Sequence, residues 1–410
     1  MRSLRFGLAV VLALAMAVAT ACGKSGGGDE ESGVQGGKLE IGAALSLTGS
    51  LAKEGALTKQ GYQLCQEKVN QRGGVKVGDK EAKLAITYSD DKSEPDTAAR
   101  LVDNFNDDGT KLILGPYGSP STEAAAAAVE RNGQVMVDSS GADDNIFTKG
   151  YKTIFAVLSP ATDYVAIIVD SITKSANPKP KTVAMLSADD GFSQTAAKGG
   201  VEAAKKAGLQ VVAEESFPEK TTDVSSALTK VKGKNPDLIL GSVHVEEGIA
   251  IVKQSNELGV KPQGFGETVA PPTPDFSEAL GGSANGVVGS TQWTAEVKGK
   301  DDIFGTAKDY AADYKKRFGA DAEYHSAEGA AACLALVLAV EDAGSADPGK
   351  VRDSLASLDT ESFFGPIKFD STGKNVTKPM SAIQIQDGEV VTIYPEDQAQ
   401  AKLQWPGTGG

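Results

Sequence analysis

The segment LILGPYGSPSTEAAAAAVE, residues 112–130, joins a short apolar run to an alanine-rich helical pattern. The turn between them carries Ser119, Ser121 and Thr122 directly after what reads as a buried strand. In an open parallel sheet, ligands bind beyond the carboxyl ends of the strands, where loops lead into helices. A helix beginning near Ser119 would offer backbone N–H groups and hydroxyls to a small anion such as a carboxylate. Helix capping explains the serine equally well, so both interpretations stay open.

Apolar runs of strand length alternate with helical patterns on both sides of this segment. The first series contains KLEIGAALSL, AKLAITYSDD, TKLILG, GQVMVDSS and YKTIFAV, and the second contains KTVAMLSADD, LQVVAEESF, DLILGS and GVVGST. Strands without polar alternation, each followed by a helix, indicate parallel sheets covered on both faces. The two series therefore predict an α/β protein with two doubly wound parallel-sheet lobes.

A third block of sequence belongs to neither series. Residues 301–357 read as helical, and AEGAAACLALVLAV within them is so uniformly apolar that it must be buried. FFGPIKFDSTGKNV and MSAIQIQDGEVVTIYP follow as hairpin-like strands with glycine and asparagine turns. This block can complete both lobes by crossing back and forth between them.

The N-terminus has the features of an export signal. MRSLRFGLAVVLALAMAVATAC places two arginines before a short apolar run and small residues, ending at Cys22. The ending VATAC resembles a lipoprotein lipobox, with Ala19 where leucine is usual. We therefore expect a signal peptide over 1–21, a lipidated Cys22 and a flexible tether over 22–37. The alternative is a cysteine that follows a secretory cleavage site by coincidence.

Composition limits the classes of function. The chain has 410 residues, a net charge of −14 and no basic stripe, which disfavours nucleic acid as a partner. His244 and His325 are the two histidines, and the common hydrolase and nucleotide-binding motifs are absent. We predict no catalytic residue, metal site or cofactor. Paired acids such as Asp90 and Asp91 keep a metal-dependent hydrolase open as an alternative.

Apart from Cys22, the chain contains two cysteines. Cys65 and Cys333 lie on apolar faces of predicted helices, and neither has a histidine or second cysteine at metal-ligand spacing. In an oxidising compartment they are either buried free thiols or partners in a disulfide that joins the two helices. The residues alone leave these alternatives open.

Other predicted strand ends repeat the chemistry of the opening segment. VMVDSSGADDN supplies Ser140 and Gly141, AMLSADDGFSQ puts Phe192 at the start of a second-lobe helix, and GFGETVAPP leaves Glu267 in a turn. Any one of these could be ordinary loop chemistry. Several together on one rim predict a ligand site.

An ordered series of motifs resembles the type I periplasmic-binding proteins of the Leu/Ile/Val-binding family. LTG, VNQRGGV, DDKSEP, LGPYGSPST, TAAKGGVEAAKKAGLQVV, NPDLILG and LGV carry the resemblance, which covers about residues 38–395. It implies two lobes joined by three strand crossings, near 157–160, 290–294 and 378–384. The lobes would be 38–157 plus 293–380, and 158–292 plus 381–405, with the ligand in the cleft between them.

The resemblance also implies roles for individual residues. It implies that Ser119 binds the ligand carboxylate and that Glu267 pairs with the ligand ammonium. Phe192 becomes an aromatic on the second-lobe rim, and Glu54 lies over the ligand side chain. The ligand set implied in full is Glu54, Tyr117, Ser119, Ser140, Gly141, Ala142, Asp143, Phe192, Val243 and Glu267. Ser140, Gly141 and Ala142 are expected to face the ligand through backbone groups.

Several positions depart from the family pattern. A threonine of the second loop is Ala142 or Asp143 here, a tyrosine whose hydroxyl reaches the carboxylate is Val243 with His244 beside it, and Glu54 replaces an aromatic residue. Buried acids require a charge or donors on the ligand. We therefore expect a small polar or zwitterionic solute, with an amide or an aromatic acid also open.

The resemblance implies a function in solute transport. The protein would be a monomeric, extracytoplasmic lipoprotein on the outer face of the cell membrane, attached to it only by lipid. It would close around a small molecule and deliver it to an ABC permease. A ligand-sensing module of the same fold is the alternative.

Overall fold

The computed structural model describes Val34 and residues 36–407. The predicted signal peptide, Cys22 and most of the tether lie outside these residues. Within them, the strands are β1 Lys38–Leu45, β2 Val75–Val77, β3 Lys80–Asp90, β4 Leu112–Leu114, β5 Val135–Asp138, β6 Ile154–Ala156, β7 Thr182–Ala188, β8 Gln210–Phe217, β9 Leu238–Ser242, β10 Gly264–Glu267, β11 Val288–Thr291, β12 Lys300–Asp301, β13 Gly305–Thr306, β14 Asp359–Ser362, β15 Gly365–Lys368, β16 Ser381–Gln386 and β17 Glu389–Tyr394.

The α-helices follow the strands closely, as the sequence pattern predicts. They are α1 Ala52–Gln71, α2 Pro95–Asp107, α3 Ser119–Asn132, α4 Thr162–Ser175, α5 Gly191–Lys206, α6 Ser225–Lys232, α7 Val245–Leu258, α8 Pro274–Leu280, α9 Ala307–Phe318, α10 Tyr324–Ala343 and α11 Pro348–Ser357. Short 3-10 turns cover Asp144–Thr148 and Gly281–Ala284.

The strands form two large sheets, each the centre of one lobe. The first lobe has the order β2-β3-β1-β4-β5-β6, with parallel pairing except at the β2 edge. The second lobe has the order β17-β16-β11-β10-β9-β7-β8, parallel from β11 to β8 and antiparallel at β16 and β17. The strand ends that the sequence pattern marks as candidate sites therefore lie at the carboxyl edges of these sheets.

The chain passes between the two sheets after β6, after β11 and before β16. Residues 381–384, which the resemblance placed in the third crossing, already belong to β16, because Ser381–Gln384 pair with β11. The segment predicted to be helical from residue 301 begins instead with the small β12–β13 hairpin. The helical part starts at Ala307.

Helix α10 forms the centre of the first-lobe core. Its apolar segment is buried, as its composition predicts, and it packs against α1. A disulfide joins Cys65 of α1 to Cys333 of α10, so the pair is oxidised in this structure. The second lobe packs α4 and α5 on one face of its sheet and α6 and α7 on the other.

Over residues 36–407, no single helix is long and apolar enough to cross a membrane. Helices α10 and α11 together pass that test by length and composition, with a bend of 109° between them.

Candidate functional site

Helix α3 begins at the carboxyl edge of the first sheet. Gly118 precedes it with φ of 86°, a conformation that glycine adopts readily. The position before the helix makes no side-chain capping bond, and Ser119 is the first helical residue. Its Oγ accepts a hydrogen bond from the N–H of Asp143 at 3.1 Å. Ser119 thus joins two site loops through its hydroxyl oxygen, which acts as an acceptor.

The loop after β5 is held from within by Asp138. Its Oδ1 accepts hydrogen bonds from the N–H groups of Ser140 at 3.0 Å and Gly141 at 2.8 Å. Burial raises the pKa of Asp138 to about 6, against the effect of these bonds. The two amides that were expected to face a ligand are therefore occupied within the protein. What the loop presents is the Ser140 hydroxyl.

The Ser140 hydroxyl is hydrogen-bonded to a buried acid, Glu328, which the sequence analysis did not predict as a site residue. Ser140 Oγ donates to Glu328 Oε1 at 3.1 Å, and Ser139 links Ser140 to the hydroxyl of Tyr62. Glu328 Oε2 has no hydrogen-bond partner among the described residues. Burial raises the pKa of Glu328 well above its ordinary value. A lone acid within the apolar pattern of α10 was the signal that could have identified it.

Asp143 and Ala142 form hydrogen bonds with the second lobe, Asp143 with α5 and Ala142 with the segment just before α4. Asp143 Oδ1 accepts from Thr195 Oγ1 of α5 at 2.7 Å and from the N–H of Asn145 at 3.1 Å. The Ala142 carbonyl accepts from the N–H of Ala161 at 2.8 Å. Asp143 is therefore a bridge between the lobes in this structure.

Glu54 forms another bridge between the lobes. Its Oε1 accepts from the N–H of Val245, the first residue of α7, at 3.2 Å. Its Oε2 is buried and has no partner within the described part of the chain. Burial raises the pKa of Glu54, although His244 and His325 oppose the shift.

His244 and Asp190 form a charged pair on the second lobe. The His244 Nε2 lies 3.7 Å from Asp190 Oδ1. Burial, the largest single effect, lowers the pKa of His244, but Asp190, Glu247 and Glu54 together outweigh it and raise the pKa to about 9. The pKa of Asp190 falls to about 2 because His244 and the donors at Ser193 outweigh its burial.

Aromatic rings from both lobes surround His244. Phe192 lies 5.4 Å from it and Tyr117 lies 6.2 Å from it, measured between ring centroids. Tyr164 packs edge-on against Phe192 at 5.0 Å. On the first-lobe side, the Tyr117 hydroxyl lies 3.3 Å from His325 Nε2, whose other ring nitrogen contacts Glu323. The structure thus brings the predicted Tyr117 and Phe192 each beside His244, and it adds His325 next to Tyr117.

Glu267 and Val243 are held inside the second lobe. The Val243 side chain is fully buried, and its N–H donates to Thr268 Oγ1 at 2.8 Å. Glu267 lies beside Gly248 of α7, where an added Cβ would lie 2.7 Å from its Oε2. Neither Glu267 oxygen has a partner among the described residues, and burial raises the pKa of this group well above its ordinary value. No hydrogen bond of its carboxyl oxygens joins Glu267 to the residues around His244 in the described structure.

A cavity of about 310 Å³ opens between the lobes beside His244. Both lobes line it, with Gly49, Ser50, Leu51, Ala52, Lys53, Pro120, Asp190, Glu219, Lys220, Thr222, His244, Glu246 and Glu247. Among the residues that the structure describes, no group of three His, Cys, Asp or Glu side chains is placed to hold a metal ion. The arrangement is suited to binding a small polar molecule between the two sheet edges.

Comparison with known proteins identifies one family, and its members match nearly the whole chain. The family model described as "Periplasmic binding protein" matches residues 38–389. Leu/Ile/Val-binding protein homolog 8 of Brucella abortus is 26% identical over 383 residues, covering 90% of this chain and 93% of that protein.

Two solved structures share the fold. The branched-chain amino acid transporter substrate-binding protein LivJ of Streptococcus pneumoniae, in complex with isoleucine, has a TM-score of 0.76 and 23% identity, covering 90% of this chain and 100% of LivJ. An ABC-transporter solute-binding protein of R. palustris, in complex with benzoate, has a TM-score of 0.74 and 15% identity, covering 91% of this chain and 97% of that one. At these identities the likeness concerns the fold.

Proposed function

The chain belongs to the periplasmic binding protein family, and from that premise we propose that it is the solute-binding component of an ABC importer. It is a binding protein and not an enzyme. We propose that its ligand is a small amino-acid-like or carboxylate solute, which it encloses by closure of the two lobes.

The observation that carries this proposal is a set of buried polar atoms left without partners where the lobes meet. Glu54 and Glu328 of the first lobe and His244 of the second each keep such an atom among the described residues. A buried polar atom without a hydrogen bond is costly, so each favours a ligand that supplies the missing partner. Because both lobes contribute, such a ligand would favour the closed form.

The names of the relatives support the ligand class. LivJ is complexed with isoleucine and the R. palustris protein with benzoate, and both ligands carry a carboxylate. Glu54 and Glu328 add acceptors for ligand N–H or O–H groups in this chain. An amino acid with a polar side chain meets both requirements, since it carries an acidic group together with several donors.

The crossing segments are built as a hinge. Ser159 donates its N–H to Gln292 Oε1 at 3.0 Å and its hydroxyl to the Lys378 carbonyl at 2.7 Å, which joins all three crossings. We propose that the lobes 38–157 plus 293–380 and 158–292 plus 381–405 move as units about this junction. We also propose that Cys22 carries a lipid and holds the protein at the outer face of the membrane.

Isothermal titration of the purified protein tests the proposed ligand class. The panel comprises branched-chain and polar L-amino acids, primary amides, benzoate and 3,4-dihydroxybenzoate. We expect saturable one-to-one binding of at least one carboxylate solute. Small-angle scattering of the same samples should show a smaller radius of gyration with that ligand. No binding by any carboxylate solute in the panel would contradict the proposal.

A further inference from the structure

His244 and Asp190 meet because of sheet topology. His244 lies two residues after β9 and Asp190 two residues after β7, and these strands are parallel neighbours in the second sheet. The carboxyl ends of parallel neighbours lie at one edge of a sheet. Asp190 is oriented there by the Ser193 N–H, which donates to Asp190 Oδ1 at 3.0 Å. The acid is thereby fixed opposite His244 Nε2.

The other ring nitrogen of His244 is a buried donor without a partner. The residue is 8% exposed, and Nδ1 has no hydrogen bond within the part of the chain that the structure describes. His244 also precedes α7 as its N-terminal capping residue, where the helix dipole favours negative charge. His244 is one of the residues that line the cavity between the lobes. Among the described residues, the protein thus provides no acceptor for a proton on Nδ1 of this cavity-lining residue.

We propose that His244 donates a hydrogen bond from Nδ1 to a carboxylate of the bound solute, as the anion-binding group of the second lobe. This inference rests on the proposed function and specifies how the ligand is held. Asp190 positions the ring and keeps it cationic.

The charges around His244 determine the pH range of this interaction. Asp190 faces the ring from the start of α5, Glu247 from α7 and Glu54 from α1, and all three raise the pKa of His244. Tyr117 faces it from the segment before α3. The other charged groups that line the cavity are Lys53, Lys220, Glu219 and Glu246. Because the imidazolium is lost as pH rises through about 9, carboxylate affinity should fall across that range.

Calorimetry with matched acids and amides tests the proposal. The probes are L-isoleucine and benzoate, each compared with its primary amide. The wild type should prefer the acids. His244→Gln should weaken acid binding by about ten- to a hundredfold, the loss expected for a charge-assisted hydrogen bond, with little change for the amides. Asp190→Asn should lower the acid preference in the same direction.

Asp321→Asn is the matched control. Asp321 also pairs with a cation, Lys315, but on the exposed surface of the first lobe at 2.8 Å. This variant should keep the wild-type affinity for every probe. Circular dichroism verifies that each variant is folded.

Imidazole NMR provides a second measurement on the unmutated protein. The chain has two histidines, so both ring signals can be followed separately. The His244 signal should titrate near pH 9, shift on addition of the acid and titrate lower in Asp190→Asn. A titration midpoint below neutral pH would overturn the proposal even if His244→Gln fails to fold.

The outcomes separate this inference from the proposed function. Acid binding by the wild type that is unchanged in His244→Gln overturns the role of His244 and leaves the proposed function in place. Absence of binding to any carboxylate overturns both. Selective loss of acid binding in His244→Gln, with the amides unaffected, supports both.

Discussion

At the scale of single residues, the site has an excess of buried hydrogen-bond acceptors. Glu54 and Glu328 each keep one oxygen without a partner among the described residues, and burial raises the pKa of both. Desolvation of an unpaired carboxylate is costly. Donor groups on a ligand would offset that cost, which favours a solute with several N–H or O–H groups over a purely aliphatic acid.

Ser119→Ala tests the residue with which the sequence argument began. Its Oγ already accepts from the Asp143 N–H, so its proton is the part that a ligand can receive. If it binds a carboxylate, the variant should weaken ligand binding by about 1–3 kcal/mol in titration calorimetry. Ser171→Ala is the control, because that buried hydroxyl donates to Ile168 O within its own helix. Unchanged affinity in Ser119→Ala would mean that the hydroxyl serves only Asp143.

Lys378 predicts a pH dependence of stability. It is 5% exposed at the third crossing, and its ammonium donates to the carbonyls of Gln292 and Pro379. Burial lowers its pKa from 10.5 to about 7. Between these values the unfolded chain binds a proton that the folded chain lacks, so this group makes the free energy of unfolding rise with pH.

Lys378→Met should remove that rise. Relative to the variant, the wild type should gain about 2 kcal/mol of unfolding free energy from about pH 7 to about pH 9, measured by urea denaturation. Lys298→Met on the exposed surface should show no such trend. A wild-type-to-variant difference that is constant with pH would contradict the assignment of the pKa shift to Lys378.

At the scale of elements, the close packing of α1 on α10 organises the first lobe. The disulfide between Cys65 and Cys333 joins them across a sequence separation of 268 residues. Glycines allow the backbones to approach: an added Cβ at Gly61 would lie 2.0 Å from Ser326 O, and one at Gly329 would lie 2.7 Å from Thr58 O. This packing places Glu328 of α10 within reach of Ser140.

Gly61→Ala should therefore destabilise the protein. The new methyl group would collide with backbone that cannot yield without moving a helix, at a cost of about 2 kcal/mol or more in urea denaturation. Gly282→Ala is the matched control, since no atom lies within 4 Å of its added Cβ. Equal stability of the two variants would refute the role of the close helix contact.

At the scale of the whole molecule, the lobes are closed on each other by charged contacts at the cavity mouth. Lys53 of the first lobe pairs with Glu246 at 2.8 Å and with Asp275 at 3.2 Å on the second. Lys220 of the second lobe reaches the Ser93 carbonyl of the first at 3.3 Å. These groups are partly exposed, so each pair contributes little by itself. Together they favour closure that is sensitive to salt.

Lys53→Gln should weaken ligand binding by less than about 1 kcal/mol, because it destabilises only the closed form. The effect should disappear near 1 M salt, where charges on the surface are screened. Lys315→Gln, whose exposed ion pair with Asp321 lies within the first lobe, should bind as the wild type does at every salt concentration. A Lys53→Gln effect that persists at high salt would show that screening of these pairs does not govern closure.

The sequence by itself determined the fold class and the chemistry at the strand ends. Hydrophobic periodicity is local, so unbroken apolar runs followed by helical patterns predicted two doubly wound lobes. Turn and helix-start residues are local as well, which is why Ser119 and Phe192 were predicted at helix starts and were found there. The apolar pattern of α10 predicted its burial for the same reason.

Only the tertiary structure decided which of these groups meet. Asp138 uses the amides of Ser140 and Gly141, and Glu328 reaches Ser140 from 188 residues away. Asp190 finds His244 because two strands are neighbours. A hydrogen bond or ion pair depends on distances of a few ångströms between side chains far apart in the chain. Those distances follow from strand order and helix packing, which no local pattern encodes.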